Sequence, residues 1–223
     1  MSGFVGSYNL PAPRRITASN LPVPSHLSSD PHAEPGVEVR DERLVVKPLL
    51  DSSYRHAVIA TSPQVPTKND SQEVQWTRRY IQKAKVCSGE LELDAFPGAG
   101  IVLPGGLNTY YLDIAPHTEG VLHRTTSTDY LVVISGKLSL LTPNTDAFHI
   151  KDRKATCANN LVTTVALPGD VIYQGGPMHS LSNHTNEWVR VLCLVVGSEI
   201  NKAPLDNGSG DKELADQWLA QEE

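Results

Sequence analysis

The sequence predicts an all-β domain, a two-sheet barrel of jelly-roll type, and three observations support this prediction. Short apolar or alternating segments recur through the second half of the chain, with turn residues between them. The segment 188–196 is almost continuously apolar, which is typical of a strand buried on both faces where two sheets pack together. Two polar blocks, at 120–136 and 168–183, have the residue spacing of strands. Together they predict a small barrel with polar side chains inside it.

The predicted strands follow from this alternation of apolar and polar residues. They cover 44–49, 57–60, 90–96, 107–114, 129–135, 137–142, 161–167, 171–174, 179–182 and 188–196. A hairpin is expected at Gly136. The connection 143–160 is longer than the about 2–5 residues usual for a hairpin loop, so we interpret it as a lid or as a disordered insertion.

The composition fits one such domain with decorations. The expected parts are an extended N-terminal arm at 1–41, the barrel at 42–205 and a C-terminal tail at 206–223. The arm is rich in proline and polar residues, so it cannot pack a core of its own. Apolar residues at helical spacing predict a helical insertion near 70–86 and a short helix in the tail.

Charge and cysteine content restrict the function classes. The net charge of -6 argues against nucleic acid as a partner, and no apolar run approaches the about 20 residues of a membrane-spanning helix. The first residues have neither the basic nor the apolar region of a secretory signal. The three cysteines form no CxxC pair, which favours a reducing, cytoplasmic setting. We therefore expect a small-molecule substrate, with no nucleic acid or membrane as partner.

The two polar blocks carry the candidate chemistry. His123, Thr125, Ser127 and Asp129 are spaced by two residues, so a strand would present them on one face. In the second block, a Gly-Gly-Pro corner leads to His179 at the start of another strand. Two histidines and a carboxylate, remote in sequence, are thus expected to converge inside the barrel.

These blocks resemble the two motifs of the cupin superfamily. The first motif has a His-x-His pair, an acid four residues later and a glycine seven residues beyond the acid; here these positions hold His123, Thr125, Asp129 and Gly136, with threonine replacing the second histidine. The second motif is matched by Gly169, Gly176, His179 and Asn183, with one residue fewer than usual before the histidine. The variant His-Arg-Thr-x-x-Thr-Asp-Tyr is similar to a subgroup of small single-domain cupins of bacteria and fungi.

The resemblance implies a double-stranded β-helix and a homodimer in which the N-terminal arm crosses to the partner subunit. It also implies a small-molecule enzyme of secondary metabolism or aromatic catabolism, although cupins host many unrelated chemistries.

A divalent metal ion is one interpretation of the candidate site. His123, His179 and Asp129 suit the facial triad of Fe(II), and Zn(II) or Mn(II) could use the same ligands. Thr125 is a poor ligand, and Asp129 is one methylene shorter than the glutamate usual at its position. The sequence therefore leaves open one bound ion or none, and Asp129 has the alternative role of orienting His123 or securing a strand.

Metal-free acid–base catalysis is the other interpretation. Two histidines, with ordinary pKa values near ~6.5, could remove a proton from a substrate and deliver it elsewhere. The residues expected to bind that substrate are Tyr111, Asp113, Thr125, Tyr173 and Arg190. Arg190 lies within an apolar strand and needs a partner, for which a substrate carboxylate, Asp113 and Glu187 are the candidates.

The functional hypothesis is a lyase or isomerase that dehydrates, decarboxylates or cyclises a polyketide-like or carboxylated substrate, with His123, His179 and Asp129 as the catalytic residues. Two alternatives stay open at this point. One is an Fe(II)-dependent dioxygenase acting on an aromatic or carboxylated substrate, and the other is a cupin that binds a small molecule without turnover.

Overall fold

A computed structural model describes residues 7–21, 23–27, 29–49, 52–62, 64–65, 101, 104–144, 148–156, 160–205 and 208–220. In chain order the strands are β1 Arg14–Asn20, β2 Val37–Arg43, β3 Lys47–Leu49, β4 Tyr54–Ser62, β5 Leu107–Ile114, β6 His123–Arg124, β7 Ser127–Ser135, β8 Leu138–Pro143, β9 Ile150–Lys151, β10 Lys154–Ala155, β11 Leu161–Ala166, β12 Val171–Gly175, β13 Ser180–Ser182, β14 Val189–Gly197, β15 Asn201–Pro204, β16 Asp211–Leu214 and β17 Gln217–Trp218. A single 3-10 turn, Ser25–Leu27, is the one helical element in these ranges. None of the described residues forms a helix able to cross a membrane, and the helix predicted near 70–86 lies outside them.

Eight strands form the barrel by alternating between two sheets. β5, β7, β12 and β14 belong to a six-stranded sheet in the order β12-β7-β14-β5-β4-β3. β8, β11 and β13 form the facing sheet in the order β11-β8-β13, and a bridge between His123 and His179 adds β6 beside β13. All neighbouring pairs are antiparallel. This alternation is a double-stranded β-helix, so the predicted fold class is confirmed.

The barrel interior is divided into an apolar end and a polar end. Along the inward face of β7, Leu131 and Val133 join the hydrophobic core, whereas Ser127 and Asp129 are buried polar residues. Because side chains alternate along a strand, all four face the same interior. The core members beside them come mainly from β5, β8 and β14. The polar end is therefore enclosed by a rigid apolar scaffold.

The described part of the N-terminal arm is a β-hairpin. β1 pairs in antiparallel register with β2, and an Arg14–Asp41 ion pair lies across the two strands. The hairpin contacts its own barrel through Arg15, whose Nη1 donates a 2.7 Å hydrogen bond to the carbonyl of Ile59. The arm exchange and the homodimer that the resemblance implies stay predictions.

The prediction of a short helix in the C-terminal tail is wrong. Residues 211–214 and 217–218 form strands, and β17 pairs with β6. The four-residue spacing of Leu214 and Trp218 fits a helix, but tertiary contacts outweigh this local pattern. The connection 143–160 contains the β9–β10 hairpin, whose Arg153 carbonyl accepts a 2.7 Å hydrogen bond from the Ala220 amide. The hairpin and the C-terminal segment thus pack together beside β6.

Candidate functional site

Three rings lie side by side at the polar end of the barrel. Trp218 and His123 are register partners between β17 and β6, and His123 exchanges two backbone hydrogen bonds of 2.8 Å with His179. The His123 ring stacks on the Trp218 ring, with centroids 4.1 Å apart and planes at 11°. The two imidazole centroids are 4.4 Å apart. Cross-strand pairing of β17, β6 and the residue preceding β13 therefore brings the two motif histidines together.

Backbone carbonyls fix the tautomers of both imidazoles. His123 Nδ1 lies 2.8 Å from the Val121 carbonyl oxygen, and His179 Nδ1 lies 3.1 Å from that of Pro177. A carbonyl oxygen only accepts, so each Nδ1 must carry the proton. The assignment follows from this network, and it leaves Nε2 of each neutral ring as a proton acceptor.

Gln174 links the second histidine to the carboxylate. Its Nε2 donates one hydrogen bond to Asp129 Oδ2 and lies at the same distance, 2.8 Å, from His179 Nε2. One amide nitrogen carries two protons and can serve both acceptors. Both nitrogens of His179 are then engaged, so His123 Nε2 is the acceptor left to a substrate. Gln174 was not among the site residues predicted from the sequence, where its one signal is an inward position on the strand next to Asp129.

Two hydroxyls extend the network beyond the carboxylate. Ser127 Oγ donates to Asp129 Oδ1 at 2.7 Å, and Thr125 Oγ1 lies 2.8 Å from Ser127 Oγ. Because the Ser127 proton is used on Asp129, Thr125 is the donor in the second bond. All these residues and His179 are buried, with Ser127 at 0% exposure and Asp129 at 5%. A satisfied buried network of this kind holds its members rigidly.

Burial keeps both imidazoles neutral. Burial, followed by repulsion from His179, lowers the pKa of His123 from 6.5 to about 4, although the Val121 carbonyl and the charge of Asp129 oppose the shift. Burial also lowers the pKa of His179, against the opposing effect of its bond to Pro177. At neutral pH the site therefore holds two uncharged bases, beside a Tyr110 phenol whose pKa burial raises.

This pKa shift predicts an acid-sensitive fold. Between pH 6.5 and about 4 the unfolded chain binds a proton at His123 and the folded chain does not, so stability falls as the pH decreases through that window. We expect this ring to contribute about 3 kcal/mol to the loss over the whole window, and almost nothing above pH 7. Urea unfolding at pH 4.5, 5.5, 6.5 and 7.5 measures it. His123→Asn should flatten the profile relative to the wild type, and equal slopes in both proteins would refute the shift.

The residues present do not fit the predicted metal triad. Within the described ranges, no group of three or more His, Cys, Asp or Glu side chains is arranged to hold a metal ion. The reason is Gln174, whose amide nitrogen lies 2.8 Å from both Asp129 Oδ2 and His179 Nε2, where a shared cation would bind. The other Asp129 oxygen accepts the Ser127 hydroxyl proton. Asp129 and His179 therefore accept hydrogen bonds from N–H and O–H groups at the positions where they would bind a metal ion.

Three of the residues expected to bind substrate lie on the outer face of the large sheet. Tyr110 and Leu112 of β5 face the core, and because side chains alternate along a strand, Tyr111 and Asp113 point outward. There Arg190 donates from Nε and Nη2 to the two Asp113 carboxylate oxygens, each at 2.7 Å. The Tyr8 hydroxyl also donates to Asp113, and burial, followed by this bond, raises the pKa of Tyr8 to about 12. Of the partners considered for Arg190, the structure selects Asp113.

Tyr173 is also separated from the histidines. Its side chain is 65% exposed on the outside of β12, and its ring centroid lies 5.3 Å from that of Tyr130. Of the expected substrate-binding residues, only Thr125 lies in the network with the histidine pair. Alternation along one strand accounts for the difference, because Gln174 faces inward beside the outward Tyr173.

Comparison with known proteins gives partial matches. No family model matches the chain. It is 31% identical over 98 residues to phomopsin biosynthesis cluster protein D of Diaporthe leptostromiformis, and the match covers 44% of this chain and 43% of that protein. The chain thus matches less than half the length of this curated relative.

Solved structures with a similar fold include a polyketide cyclase, RemF from Streptomyces resistomycificus. It has a TM-score of 0.34 and 13% identity, over 52% of this chain and 63% of that one. A cupin 2 conserved barrel domain protein from Salinispora arenicola CNS-205 has a TM-score of 0.30 and 15% identity, over 40% of this chain and 62% of that one. Similarities at this level carry no argument about activity. The strand order of the barrel itself agrees with the fold expected from the sequence motifs.

Proposed function

We propose that this chain, which has the cupin fold, is a small-molecule enzyme of lyase or isomerase type in which His123 is the general base. One observation carries the proposal: two neutral imidazoles lie 4.4 Å apart at the polar end of the barrel, with the Nε2 lone pair of His123 left for a substrate. Such a base can remove a proton at the pH of the cytoplasm, where we propose the protein acts.

Three contacts of His123 offset part of the cost that burial places on its conversion to an imidazolium ion during the reaction. Its Nδ1 proton is held by the Val121 carbonyl, and the face of the Trp218 ring stacks on it. A cation over an indole face is stabilised, and the charge of Asp129 adds to that effect. The imidazolium can then return the proton to a neighbouring atom of the substrate, or to a hydroxyl that leaves as water.

His179 and Gln174 are positioning residues in this proposal. His179 is held by Gln174 on one nitrogen and by Pro177 on the other, so it stays neutral while its partner ring reacts. Asp129, Ser127 and Thr125 fix the amide of Gln174 from behind. This arrangement needs no metal ion, in contrast to the triad considered from the sequence.

The proposed substrate is a polyketide-like or carboxylated small molecule of secondary metabolism. The partial similarity to a protein named for the phomopsin biosynthesis cluster supports that setting. A carbon acid next to a carbonyl group is the substrate type that a neutral imidazole can deprotonate.

The test is proton exchange catalysed by EDTA-treated protein in D2O. A panel of 3-oxo acids, 3-hydroxy acids and hydroxylated aromatic acids is incubated with the protein and followed by mass spectrometry. We expect deuterium incorporation, or loss of water or CO2, from at least one class, with no loss after chelation. Activity that disappears with EDTA and returns with Fe(II) and oxygen uptake would instead indicate a dioxygenase. Binding without any exchange would indicate a non-catalytic binding protein.

A further inference from the structure

We propose that the indole N–H of Trp218 is a substrate-binding donor, which holds a carbonyl or carboxylate oxygen of the molecule that His123 deprotonates. This inference rests on the proposed function and adds the substrate's acceptor group to it. Nothing in the sequence motifs points to Trp218, because it lies far from both motifs and in a segment with a helical pattern.

The position of the indole follows from strand pairing. β17 adds to the edge of β6, and the Leu219 amide continues the pairing with a 3.0 Å hydrogen bond to the Leu122 carbonyl. The indole therefore stacks flat on the His123 ring, with 4.1 Å between centroids. Its N–H belongs to the ring that stacks on His123, whose Nε2 the network leaves to a substrate.

The indole nitrogen is buried without a partner. Trp218 Nε1 has no hydrogen-bond acceptor in the part of the chain that the structure describes. An indole N–H can only donate, and buried donors in native proteins are nearly always paired. Arg153, which donates to the backbone carbonyl of Trp218, has no acceptor to offer the indole. A bound oxygen atom would satisfy the indole.

The backbone of the segment that carries Trp218 is held on both sides. Asp216 Oδ1 accepts a 2.6 Å hydrogen bond from the Thr126 amide, and Arg124 Nε donates to the Ala215 carbonyl at 3.0 Å. The Ala220 amide donates to the Arg153 carbonyl at 2.7 Å. The segment is thus fixed in place, and a ligand oxygen would supply the acceptor that the described residues do not.

A substrate with an acceptor oxygen next to an acidic hydrogen matches both the His123 base and the Trp218 N–H donor. When His123 removes the proton, negative charge develops on the adjacent carbonyl oxygen, and a preorganised N–H donor binds that oxygen more strongly than in the ground state. The substrate class is thus a carbonyl or carboxylate compound whose acceptor oxygen lies two bonds from the carbon that loses its hydrogen.

Indole NMR with benzoate as the probe tests this assignment. The chain has three tryptophans, so three 15N–1H indole signals are expected, and Trp218→Phe identifies one of them. We expect benzoate to move the Trp218 proton signal downfield, toluene to leave it in place, and the Trp218→Phe variant to bind benzoate about tenfold more weakly. Trp188→Phe should keep the wild-type response, because Trp188 packs against Tyr8 on the outer face.

A Trp218 signal that does not respond to benzoate would overturn the proposal, and so would unchanged benzoate affinity in Trp218→Phe. If Trp218→Phe does not fold, the Trp188→Phe and Trp76→Phe variants assign the other two indole signals. The third signal of the wild-type protein then belongs to Trp218, and its response to benzoate decides the question. The NMR titration with benzoate measures binding and does not depend on turnover. Failure of the proposed reaction would appear instead as absent deuterium exchange with an intact indole response.

Discussion

Replacing Arg190 with methionine is expected to lower the free energy of unfolding by about 3–5 kcal/mol. Asp113 is 1% exposed and receives two hydrogen bonds from this guanidinium. Without it, the buried carboxylate keeps the hydrogen bond from the Tyr8 hydroxyl but has lost its positively charged partner. Arg190 Nη1 also donates to the Pro11 carbonyl at 2.7 Å, so the variant weakens the attachment of the N-terminal arm as well.

Denaturant unfolding of four proteins measures this effect. The double variant Arg190→Met/Asp113→Leu removes both charges and should recover most of the lost stability, because well-packed apolar residues can replace a buried pair. Arg14→Met breaks the exposed pair with Asp41 and should change stability little, since both groups are in water. A loss below about 1 kcal/mol in Arg190→Met, or a double variant as unstable as the single one, would contradict the account.

Substitution of His123 by asparagine is expected to reduce turnover by a factor of about 10²–10⁴, the usual contribution of a general base. The assay is the D2O exchange reaction, with the panel compound that the wild type converts. Because His123 takes the proton, the loss should fall on kcat, with a smaller change in KM.

His149→Asn is the matched control for this substitution. His149 is exposed on the segment before β9, and its replacement removes an imidazole without touching the barrel interior. Its rate should equal that of the wild type. Retention of more than about a tenth of the activity in His123→Asn would assign the base to another residue.

The fold class could be predicted from the sequence because the signals of short alternating strands are local. The hairpin expected at Gly136 is wrong: Gly136 adopts a left-handed conformation with φ of 78°, but it turns the chain from β7 in the large sheet to β8 in the facing sheet, and these two strands do not pair. The convergence of His123 and His179 follows once the motif spacing is taken as strands. The C-terminal strand could not be predicted, because Trp218 pairs with a strand more than 90 residues away and its spacing from Leu214 is also that of a helix.

The rest of the site depends on which face of each strand points inward. The sequence placed Tyr111 and Asp113 on one face, but a shift of one residue decides whether that face is the interior or the exterior. The same ambiguity favoured Tyr173 over its neighbour Gln174. Only the packed structure shows that an amide, in place of a cation, joins Asp129 to His179.

Imidazole NMR of 15N-labelled protein tests the central claim, that His123 and His179 form one neutral centre held by protein donors. We expect both rings in the Nδ1–H form from pH 5.5 to 8, and unchanged spectra after one equivalent of Zn(II). A ring that becomes protonated near its ordinary pKa of ~6.5, or Nε2 signals of both histidines that shift together with stoichiometric Zn(II), would contradict it.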